Sequence, residues 1–375
     1  MDSFSSLITP LCLIDKNKLS ANASRMHSLV LRSGLTFRPH VKTLKSVEGA
    51  AIYAPLPSPI TVSTLSEARY FANAGYTDIL YAVGMTPNKL PAVISLLEQG
   101  VRVCVVVDSL MAAQYLAKHT QNLTPPLRVL IELDVDDHRA GVAPQSDVLV
   151  ETAACLSAGK GLVFCGVMAH AGASYDCHSM DAQKAMAKEE CARTSLAAKR
   201  LAAAGFDCDT VSVGSTPTVL AGIDYTGANI TELRAGVYAT FDLVMADLHV
   251  CQQKDIALSV LTSVIGHQRD KNWVLVDAGW MALSRDKGSD KHGYGLVADS
   301  RGTILEGWYV ADTNQEHGII KHKEGLSLPK EGVGYGDMLR ILPNHACATA
   351  GQYQQYHVTQ DNKTVCDVWQ SAYGW

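Results

Sequence analysis

Short apolar runs rich in β-branched residues alternate with segments of helical periodicity over roughly the first two thirds of the chain. The intervening segments, such as SEARYFANAG and NKLPAVISLLEQG, place apolar residues at helical spacing and end near a glycine. The predicted strands are TFRPHVK (36–42), ITVST (60–64), DILYAV (78–83), VRVCVVVD (101–108), LRVLIELD (127–134), LVFCGVMAH (162–170), DTVSVGS (209–215) and NITELRAGVY (229–238). Strands separated by crossovers indicate a parallel sheet covered on both faces. Because eight such strands close a barrel, the pattern predicts an α/β fold with an N-terminal (β/α)8 barrel rather than an open doubly wound sheet.

The pattern changes near residue 250, where helical segments become rare and alternating strands are separated by Gly, Asp and Asn. This change predicts an antiparallel β domain at the C-terminal end. We therefore expect a barrel over residues 14–250 and a β domain over residues 251–375, which residues 1–13 join. The strand LCLID (11–15) lies outside the series of eight, and we expect it to border the β domain or cross to it.

The composition is typical of a compact enzyme and argues against several other classes of protein. Apolar residues make up 47% of the chain, charged residues 18%, and the net charge is −5, so no basic surface for nucleic acid is expected. No apolar run reaches the roughly 18 residues of a membrane span. Pro10 interrupts the early run LITPLCLI and no cleavage pattern follows, so we expect no signal peptide. The ten cysteines form no CxxC pair, which predicts reduced thiols and a cytoplasmic protein.

Candidate chemistry lies at the ends of the predicted strands, because catalytic groups of a β/α barrel occupy the carboxyl ends of its strands. The segment FRPHVKTLKS (37–46) places His40 and Lys42 at one such end, and the two-residue period of a strand puts them on one face. A lysine in the barrel mouth is partly desolvated, which lowers its pKa and makes the neutral amine nucleophilic. Lys42 is therefore a candidate for a Schiff base with an aldehyde.

A second strand end, VGSTPT (213–218), has the composition of a phosphate site. Gly214, Ser215 and Thr216 offer backbone N–H groups and hydroxyls just before Pro217, where a helix can start. The segment RAG (234–236) offers a further edge of small residues. A helix cap explains each segment almost as well. A lysine for an aldehyde together with a phosphate site indicates pyridoxal phosphate as the cofactor.

A third candidate site lies in the predicted β domain, in LPNHACATA. If this segment is extended, His345 and Cys347 project from one face, and imidazole with thiolate suits a divalent metal such as zinc. Two ligands do not complete a structural site, so water or substrate would complete the coordination. A core cysteine beside a capped histidine is an equally good interpretation of the spacing. Glu316 and His317, in TNQEHG, follow no ligand spacing.

These segments together resemble the D-serine dehydratase and D-threonine aldolase family, part of the alanine-racemase-like class of pyridoxal phosphate enzymes. The resemblance is carried by RPHVKT, HAG (170–172), VGSTPT, ELRAGVY, VDAG (276–279), EHG and PNHAC, and it covers nearly the whole chain. It implies an N-terminal barrel, a C-terminal β domain, a divalent metal (Zn, Mn or Mg) and a head-to-tail homodimer. The implied reaction is elimination of water from a D-3-hydroxy amino acid.

The resemblance also implies roles for single residues. Lys42 would hold the cofactor covalently, Arg139 would lie near its ring hydroxyl, His170 against its ring, and Tyr175 near its ring nitrogen. Further residues assigned to the cofactor site are His40, Gly214, Ser215, Thr216, Gly236 and Val237. His345 and Cys347 would bind the metal.

The expected substrate class follows from the metal motif. Aldolases of this family have His-x-Asp where dehydratases have His-x-Cys, so Cys347 favours dehydration. A dicarboxylate substrate such as 3-hydroxyaspartate needs a second cationic contact, for which Arg285 is a candidate, although an exposed loop arginine is the simpler interpretation. Glu316 and His317 are weaker candidates for substrate contact. Dehydration of D-serine, retro-aldol cleavage, racemisation, metal-dependent hydrolysis on a barrel and cofactor binding without turnover remain open alternatives.

Overall fold

The computed structural model of the chain describes residues 2–288, 290–326 and 332–375. The chain forms two compact units, each assembled from several segments. The barrel unit consists of Arg25–Lys42, Ala54–Gly236 and Gly374–Trp375, and the β unit of Met1–Ser24, Thr43–Tyr53 and Val237–Tyr373. The domain boundaries expected from the sequence, near residues 13 and 250, stay predictions.

The β-strands occur in both units and are numbered in chain order. They are β1 (Asp2–Ser3), β2 (Leu11–Asp15), β3 (Thr36–Pro39), β4 (Ile60–Val62), β5 (Asp78–Tyr81), β6 (Arg102–Val107), β7 (Leu127–Leu133), β8 (Leu162–Ala169), β9 (Thr210–Val213), β10 (Glu232–Ala235), β11 (Leu258–Gln268), β12 (Trp273–Val276), β13 (Leu296–Asp299), β14 (Ile304–Thr313), β15 (Gly318–His322), β16 (Met338–Leu342), β17 (Gln355–Thr359), β18 (Thr364–Val365) and β19 (Asp367–Gln370).

The α-helices are numbered in the same way. They are α1 (Lys16–Ser33), α2 (Val47–Tyr53), α3 (Leu65–Asn73), α4 (Leu90–Glu98), α5 (Leu110–His119), α6 (Asp147–Ala158), α7 (Met180–Ala203), α8 (Thr216–Leu220), α9 (Leu243–Asp247), α10 (Trp280–Leu283) and α11 (Ala346–Ala350).

The barrel unit contains the predicted parallel sheet. Its order is β3-β10-β9-β8-β7-β6-β5-β4, and a parallel bridge between His40 and Thr61 joins the two end strands, so the sheet closes. Each of the eight runs predicted from the sequence contains one of these strands, so the barrel prediction is confirmed. Residues of four consecutive strands form one apolar cluster inside it: Leu80, Cys104, Val106, Leu130, Cys165 and Met168.

Charged side chains of three strands, β3, β5 and β10, form ion pairs at the opposite end of these strands from the candidate site. Arg38 donates through Nε to Glu232 Oε2 at 2.8 Å and through Nη1 to Asp78 Oδ1 at 2.7 Å. Burial is the largest single effect on Arg38 and lowers its pKa, but the charges and hydrogen bonds of Glu232 and Asp78 together outweigh it, so the pKa is raised. Since a buried charge is tolerated only with partners, the interior below the strand ends is a network of ion pairs.

The β unit contains a mixed sheet of order β12-β15-β14-β13-β16-β11-β2-β17-β19, in which most pairs are antiparallel. The early strand β2 pairs antiparallel with β11 and parallel with β17, so LCLID belongs to this sheet as one of its inner strands. Buried apolar residues of this sheet form a hydrophobic core, which includes Val260, Val276, Trp308 and Ile341. The prediction of a C-terminal β domain is thereby confirmed.

No helix among the described residues is long and apolar enough to cross a membrane. All ten cysteines are free thiols, as their spacing predicted, and Cys104 and Cys165 lie in the barrel core.

Candidate functional site

The chain leaves β3 at the first candidate strand end and turns at once. The His40 N–H donates to the carbonyl of Ala235 at 2.8 Å, and the Lys42 N–H donates to His40 Nδ1 at 3.4 Å. A Cβ on Gly236 would lie 3.2 Å from the Cβ of His40, so glycine allows the two segments to approach closely. His40 and Lys42 are both half-buried, and they occupy the carboxyl edge of the barrel as predicted.

His170 follows β8 at the same edge and lies in electrostatic range of Lys42. Its Nδ1 is hydrogen-bonded to the carbonyl of Gly214 at 3.2 Å. Desolvation lowers the pKa of His170 to about 3, and the charges of Lys42 and Arg234 act in the same direction. Desolvation, followed by the charge of Lys42, also lowers the pKa of His40 well below its usual value. Both imidazoles are therefore neutral near pH 7.

Arg234 is the charged residue that the sequence analysis missed at this edge. It lies on β10 and is buried, and it donates through Nη1 to Ser212 Oγ at 2.5 Å and through Nη2 to the carbonyl of Ala169 at 2.6 Å. Burial lowers the pKa of Arg234, and the carboxylates Glu232, Glu190 and Glu132 oppose that effect. Its guanidinium is thus a fixed positive group in electrostatic range of both histidines.

The segment after β9 differs from the predicted phosphate site in one respect. The Gly214 N–H donates to Glu190 Oε1 at 3.1 Å, and the Ser215 N–H donates to Thr218 Oγ1 at 2.9 Å. The expectation that these two N–H groups are free is wrong, because Ser215 caps α8 in a capping box with Thr218. The Ser215 hydroxyl is engaged in the same way, by the Thr218 N–H at 3.2 Å and by the Ser174 hydroxyl at 2.9 Å. The phosphate contacts expected from Ser215, Thr216, Gly236 and Val237 stay predictions.

Glycine is required at position 214 by its backbone. The residue has a φ of +127°, and a Cβ there would overlap the carbonyl oxygen of Arg234. The close approach of β9 and β10 at this point fixes the path of the Gly214 peptide.

Two further predicted residues lie around this edge. Arg139 is largely exposed, with Nη2 3.4 Å from Glu132 Oε1, and its charge contributes to the lowered pKa of His170. The ring of Tyr175 lies 6.4 Å from the ring of His170, centroid to centroid, and is tilted by 53°. The barrel unit therefore brings together His40, Lys42, Arg139, His170, Tyr175 and Gly214.

The candidate metal pair lies in the β unit, and its backbone is not the predicted one. His345 is the N-cap of α11 and Cys347 lies in the first turn of that helix, so the extended geometry expected for the pair is wrong. The alanines of ACATA favour a helix, which the sequence analysis overlooked. The side chains of His345 and Cys347 are nevertheless in hydrogen-bond contact. This contact and the hydrogen bond with Asp286 raise the pKa of His345 to about 10.

Three residues that no spacing rule identified support this pair. His345 Nδ1 is hydrogen-bonded to Asp286 Oδ2 at 2.8 Å, and this contact is the main cause of the lowered pKa of Asp286. Thr43 Oγ1 and Cys347 Sγ are hydrogen-bonded at 3.2 Å. Asp242 accepts the Ala346 N–H at 2.9 Å, and burial raises its pKa to about 6. Asp286 and Asp242 thus hold the side chain and the backbone of the His-x-Cys turn.

Arg285, Glu316 and His317 also lie in the β unit. The Arg285 guanidinium stacks on the ring of Trp280 at 4.0 Å from its centroid. The turn that carries Glu316 and His317 is exposed, and its Asn314 carbonyl accepts the Trp280 N–H at 3.0 Å. These three residues are thus grouped around α10, while their predicted contact with substrate stays a prediction.

The chain matches two family models that correspond to the two kinds of sheet. Residues 14–243 match the alanine racemase N-terminal domain, and residues 257–359 match a putative serine dehydratase domain. The D-threo-3-hydroxyaspartate dehydratase of Delftia sp. (strain HT23) is 44% identical over 100% of both chains. The chain belongs to the D-serine dehydratase and D-threonine aldolase family. The similarity to dehydratases identifies it as an enzyme of the carbon–oxygen lyase class. The membership supports pyridoxal phosphate as the cofactor.

Other members of the family match over similar lengths. The D-serine dehydratase of Schizosaccharomyces pombe is 30% identical over 98% of this chain and 92% of its own length. The solved structure of the Delftia enzyme superposes with a TM-score of 0.95 over 100% of both chains at 44% identity. Further structures of that enzyme carry alanine in place of a histidine and of a cysteine two positions later, the cysteine variant being in the metal-free form.

The residues of this chain fit both groups. Lys42 supplies an amine at a barrel edge where two neutral imidazoles, hydroxyls and close-packed glycines occur together. At the second site, Asp286 binds Nδ1 of His345, the arrangement in which a carboxylate orients a metal-ligating imidazole. A nitrogen and a sulfur donor in hydrogen-bond contact form a donor set that suits zinc. Among the described residues, no group of three or more His, Cys, Asp or Glu side chains is placed to hold a metal.

Proposed function

We propose that the chain is a pyridoxal phosphate- and divalent metal-dependent dehydratase that converts D-threo-3-hydroxyaspartate to oxaloacetate and ammonia. The observation that carries the proposal is the 44% identity to a D-threo-3-hydroxyaspartate dehydratase over the full length of both chains. The paired His345 and Cys347 add to it, since the spacing of these residues equals that of the histidine and cysteine replaced in that enzyme.

Most residues of the proposed cofactor site belong to the barrel unit. Lys42 would bind the aldehyde carbon covalently, and His170 would lie against the ring with Tyr175 beside it. Arg139 would contact the ring hydroxyl, and the hydroxyls of Ser215 and Thr216, with the N–H groups of Gly236 and Val237, would hold the phosphate. When bound, pyridoxal phosphate supplies an electron sink for the charge that develops at the substrate Cα.

Lys42 is the base that the electrostatics favour. A histidine whose pKa is about 3 holds a proton poorly near neutral pH, and this applies to His170. The pKa of His40 is lowered in the same direction. Neither imidazole is therefore suited to keep a proton taken from the substrate Cα, which leaves the Nζ of Lys42 for that transfer.

The β unit supplies the metal site of this proposal. His345 and Cys347 would bind the ion, Asp286 would orient the imidazole, and Thr43 would hold the sulfur. Hydroxide is a poor leaving group, and a divalent ion supplies Lewis-acid assistance to its departure. Elimination releases water from the substrate, and hydrolysis of the resulting enamine gives the keto acid and ammonia.

A dicarboxylate substrate also needs a cation for its second carboxylate. Arg285 is the candidate of this chain, held in place by its stacking on Trp280. Its substitution by Ala should raise the KM for hydroxyaspartate more than the KM for D-serine. We further propose a homodimer, which light scattering of the purified protein tests directly.

The deciding experiment is product analysis with the purified protein loaded with cofactor and Zn²⁺ or Mn²⁺. The substrates are D-threo- and D-erythro-3-hydroxyaspartate, D-serine and D-threonine, and the expected products are oxaloacetate and ammonia from the first. Pyruvate and ammonia from D-serine alone would assign a D-serine dehydratase. Glycine with an aldehyde would assign a retro-aldol enzyme, and cofactor binding without any product would leave only a binding protein.

The metal part is tested separately. Chelation and Cys347→Ala should each abolish dehydration while the visible absorbance of the bound cofactor remains. Unchanged turnover after both treatments would remove the metal from the proposal.

A further inference from the structure

Glu190 is a buried carboxylate that the proposed mechanism does not use. It lies on α7 and is 1% exposed. Its Oε1 accepts two backbone hydrogen bonds, from the Ala171 N–H at 2.9 Å and from the Gly214 N–H at 3.1 Å. A carboxylate without partners at such a site would cost several kcal/mol, so these bonds bind the helix firmly to the two loops.

Both hydrogen bonds converge on one residue, His170. Ala171 follows His170 directly in the chain, so the first bond fixes the backbone at that histidine. Gly214 carries the second bond on its N–H, while its carbonyl is bonded to His170 Nδ1 at 3.2 Å. One carboxylate oxygen thus holds the backbone of His170 directly and its imidazole through a single glycine.

The glycine is a rigid link in this arrangement. Its path is fixed by the carbonyl of Arg234, which a Cβ at position 214 would overlap. The Ser174 and Ser215 hydroxyls, bonded at 2.9 Å, join the same two loops a few residues further on. A displacement of the Glu190 carboxylate should therefore shift the His170 imidazole as well.

We propose that Glu190 is a positioning residue that sets the orientation of the His170 imidazole for packing against the cofactor ring. The inference rests on the proposed cofactor site and adds the residue that orders it. The Glu190 side chain also hydrogen-bonds the side chain of Thr218 and lies in electrostatic range of Arg234. Its two contacts to the loops at His170 are backbone N–H groups, which an uncharged acceptor oxygen at the Oε1 position can also satisfy.

The test is a double-mutant cycle read out as the dissociation constant of pyridoxal phosphate for the apoprotein, measured from the visible absorbance and circular dichroism of the bound cofactor. Glu190→Ala should weaken binding about tenfold and reduce the dichroism band, since two buried hydrogen bonds are lost. In a His170→Ala background the same substitution should change binding by no more than about twofold. Glu190→Gln keeps the acceptor oxygen but removes a counter-charge of Arg234, so its binding should lie closer to that of the wild type than to that of Glu190→Ala.

Glu67→Ala is the matched control. Glu67 is also a buried carboxylate on a barrel helix, and its Oε2 accepts the Ser63 N–H at 2.9 Å at another strand end. Its effect on cofactor binding should be the same with His170 or Ala at position 170. Should Glu190→Ala fail to fold, Glu190→Asp, whose shorter side chain cannot reach both N–H groups, takes its place with the same expectations.

The outcomes separate the positioning role from the proposed function. Wild-type protein that binds no pyridoxal phosphate would contradict the proposed function itself. If the wild type binds the cofactor but Glu190→Ala weakens binding equally in the His170→Ala background, the positioning role is overturned and the proposed function stands. The same conclusion holds if Glu190→Ala has no effect on binding. A loss in Glu190→Gln as large as in Glu190→Ala would likewise overturn it.

Discussion

Removal of the Asp286 carboxylate should weaken metal binding without affecting the cofactor. Asp286 holds Nδ1 of His345 at 2.8 Å, which fixes the tautomer and leaves Nε2 as the ligand atom. Such outer partners typically contribute about 10- to 100-fold to metal affinity. The two side chains are 40% and 45% exposed, so solvent screens part of their interaction and we expect the lower end of that range. Asp286→Ala should therefore raise the metal dissociation constant by about tenfold, or about 1.4 kcal/mol.

The conservative variant separates orientation from charge. Asp286→Asn keeps one acceptor oxygen, which can accept from His345 Nδ1–H, but it replaces the second oxygen, which accepts the Gly288 N–H at 2.8 Å, by an NH2 group. Its metal affinity should fall between those of the wild type and Asp286→Ala. Asp270 is an exposed carboxylate of the same unit, and Asp270→Ala should leave the affinity unchanged.

The assay is competition for Zn²⁺ with a chromophoric chelator at constant pH, with cofactor absorbance recorded in the same samples. The order of affinities should be wild type, then Asn, then Ala. Equal affinities for the wild type and Asp286→Ala would refute the reasoning, because the carboxylate would then not orient a ligand. A weaker affinity for Asn than for Ala would refute the orienting role in particular.

Three substitutions in the barrel unit have separable outcomes. Lys42→Ala should abolish turnover and the visible absorbance of covalently bound cofactor, and full activity would refute Lys42 as the nucleophile. Arg234→Met should destabilise the apoprotein by about 3–5 kcal/mol in urea unfolding, because buried carboxylates lose their counter-charge, and a loss below about 1 kcal/mol would contradict this. His170 has a pKa lowered to about 3 from 6.5, so its contribution to stability is fully present above pH 6.5 and is lost as the pH falls towards 3. Stability of the wild type should therefore decline more steeply than that of His170→Gln over this interval, and parallel curves would contradict the neutral imidazole.

The barrel could be predicted from the sequence because every strand carries its own signal. A strand that is buried on both faces is apolar throughout. The runs VRVCVVVD and LRVLIELD are nearly continuous in this way and lack the spacing of apolar residues that a helix shows. His40, Lys42 and His170 followed from the fold, since the carboxyl ends of all eight strands lie at one edge. The helix at ACATA was not predicted, because the metal interpretation assumed an extended segment. The alanines of this segment do favour a helix.

The supporting residues could not be found by spacing, because their partners are remote in the chain. Asp286 is 59 residues from His345, and Asp242 is 104 residues from Ala346. Contacts of this kind depend on which loops of the β unit the fold brings together, and no local pattern encodes that.

Glu190 is an exception, and its sequence did contain a signal. The buried positions Gln183, Ala187, Glu190, Cys191 and Thr194 recur at helical spacing along α7, so they form the stripe that faces the strands. Serine, threonine and glutamine fit such a stripe at low cost, whereas a glutamate requires hydrogen-bond donors in the core. Where a helix covers parallel strands, unpaired donors are available only where the strands end and loops begin, because the sheet ladder consumes the others. A lone glutamate in the buried stripe of a barrel helix therefore predicts a carboxylate that binds the βα loops, which are the segments that carry the active site.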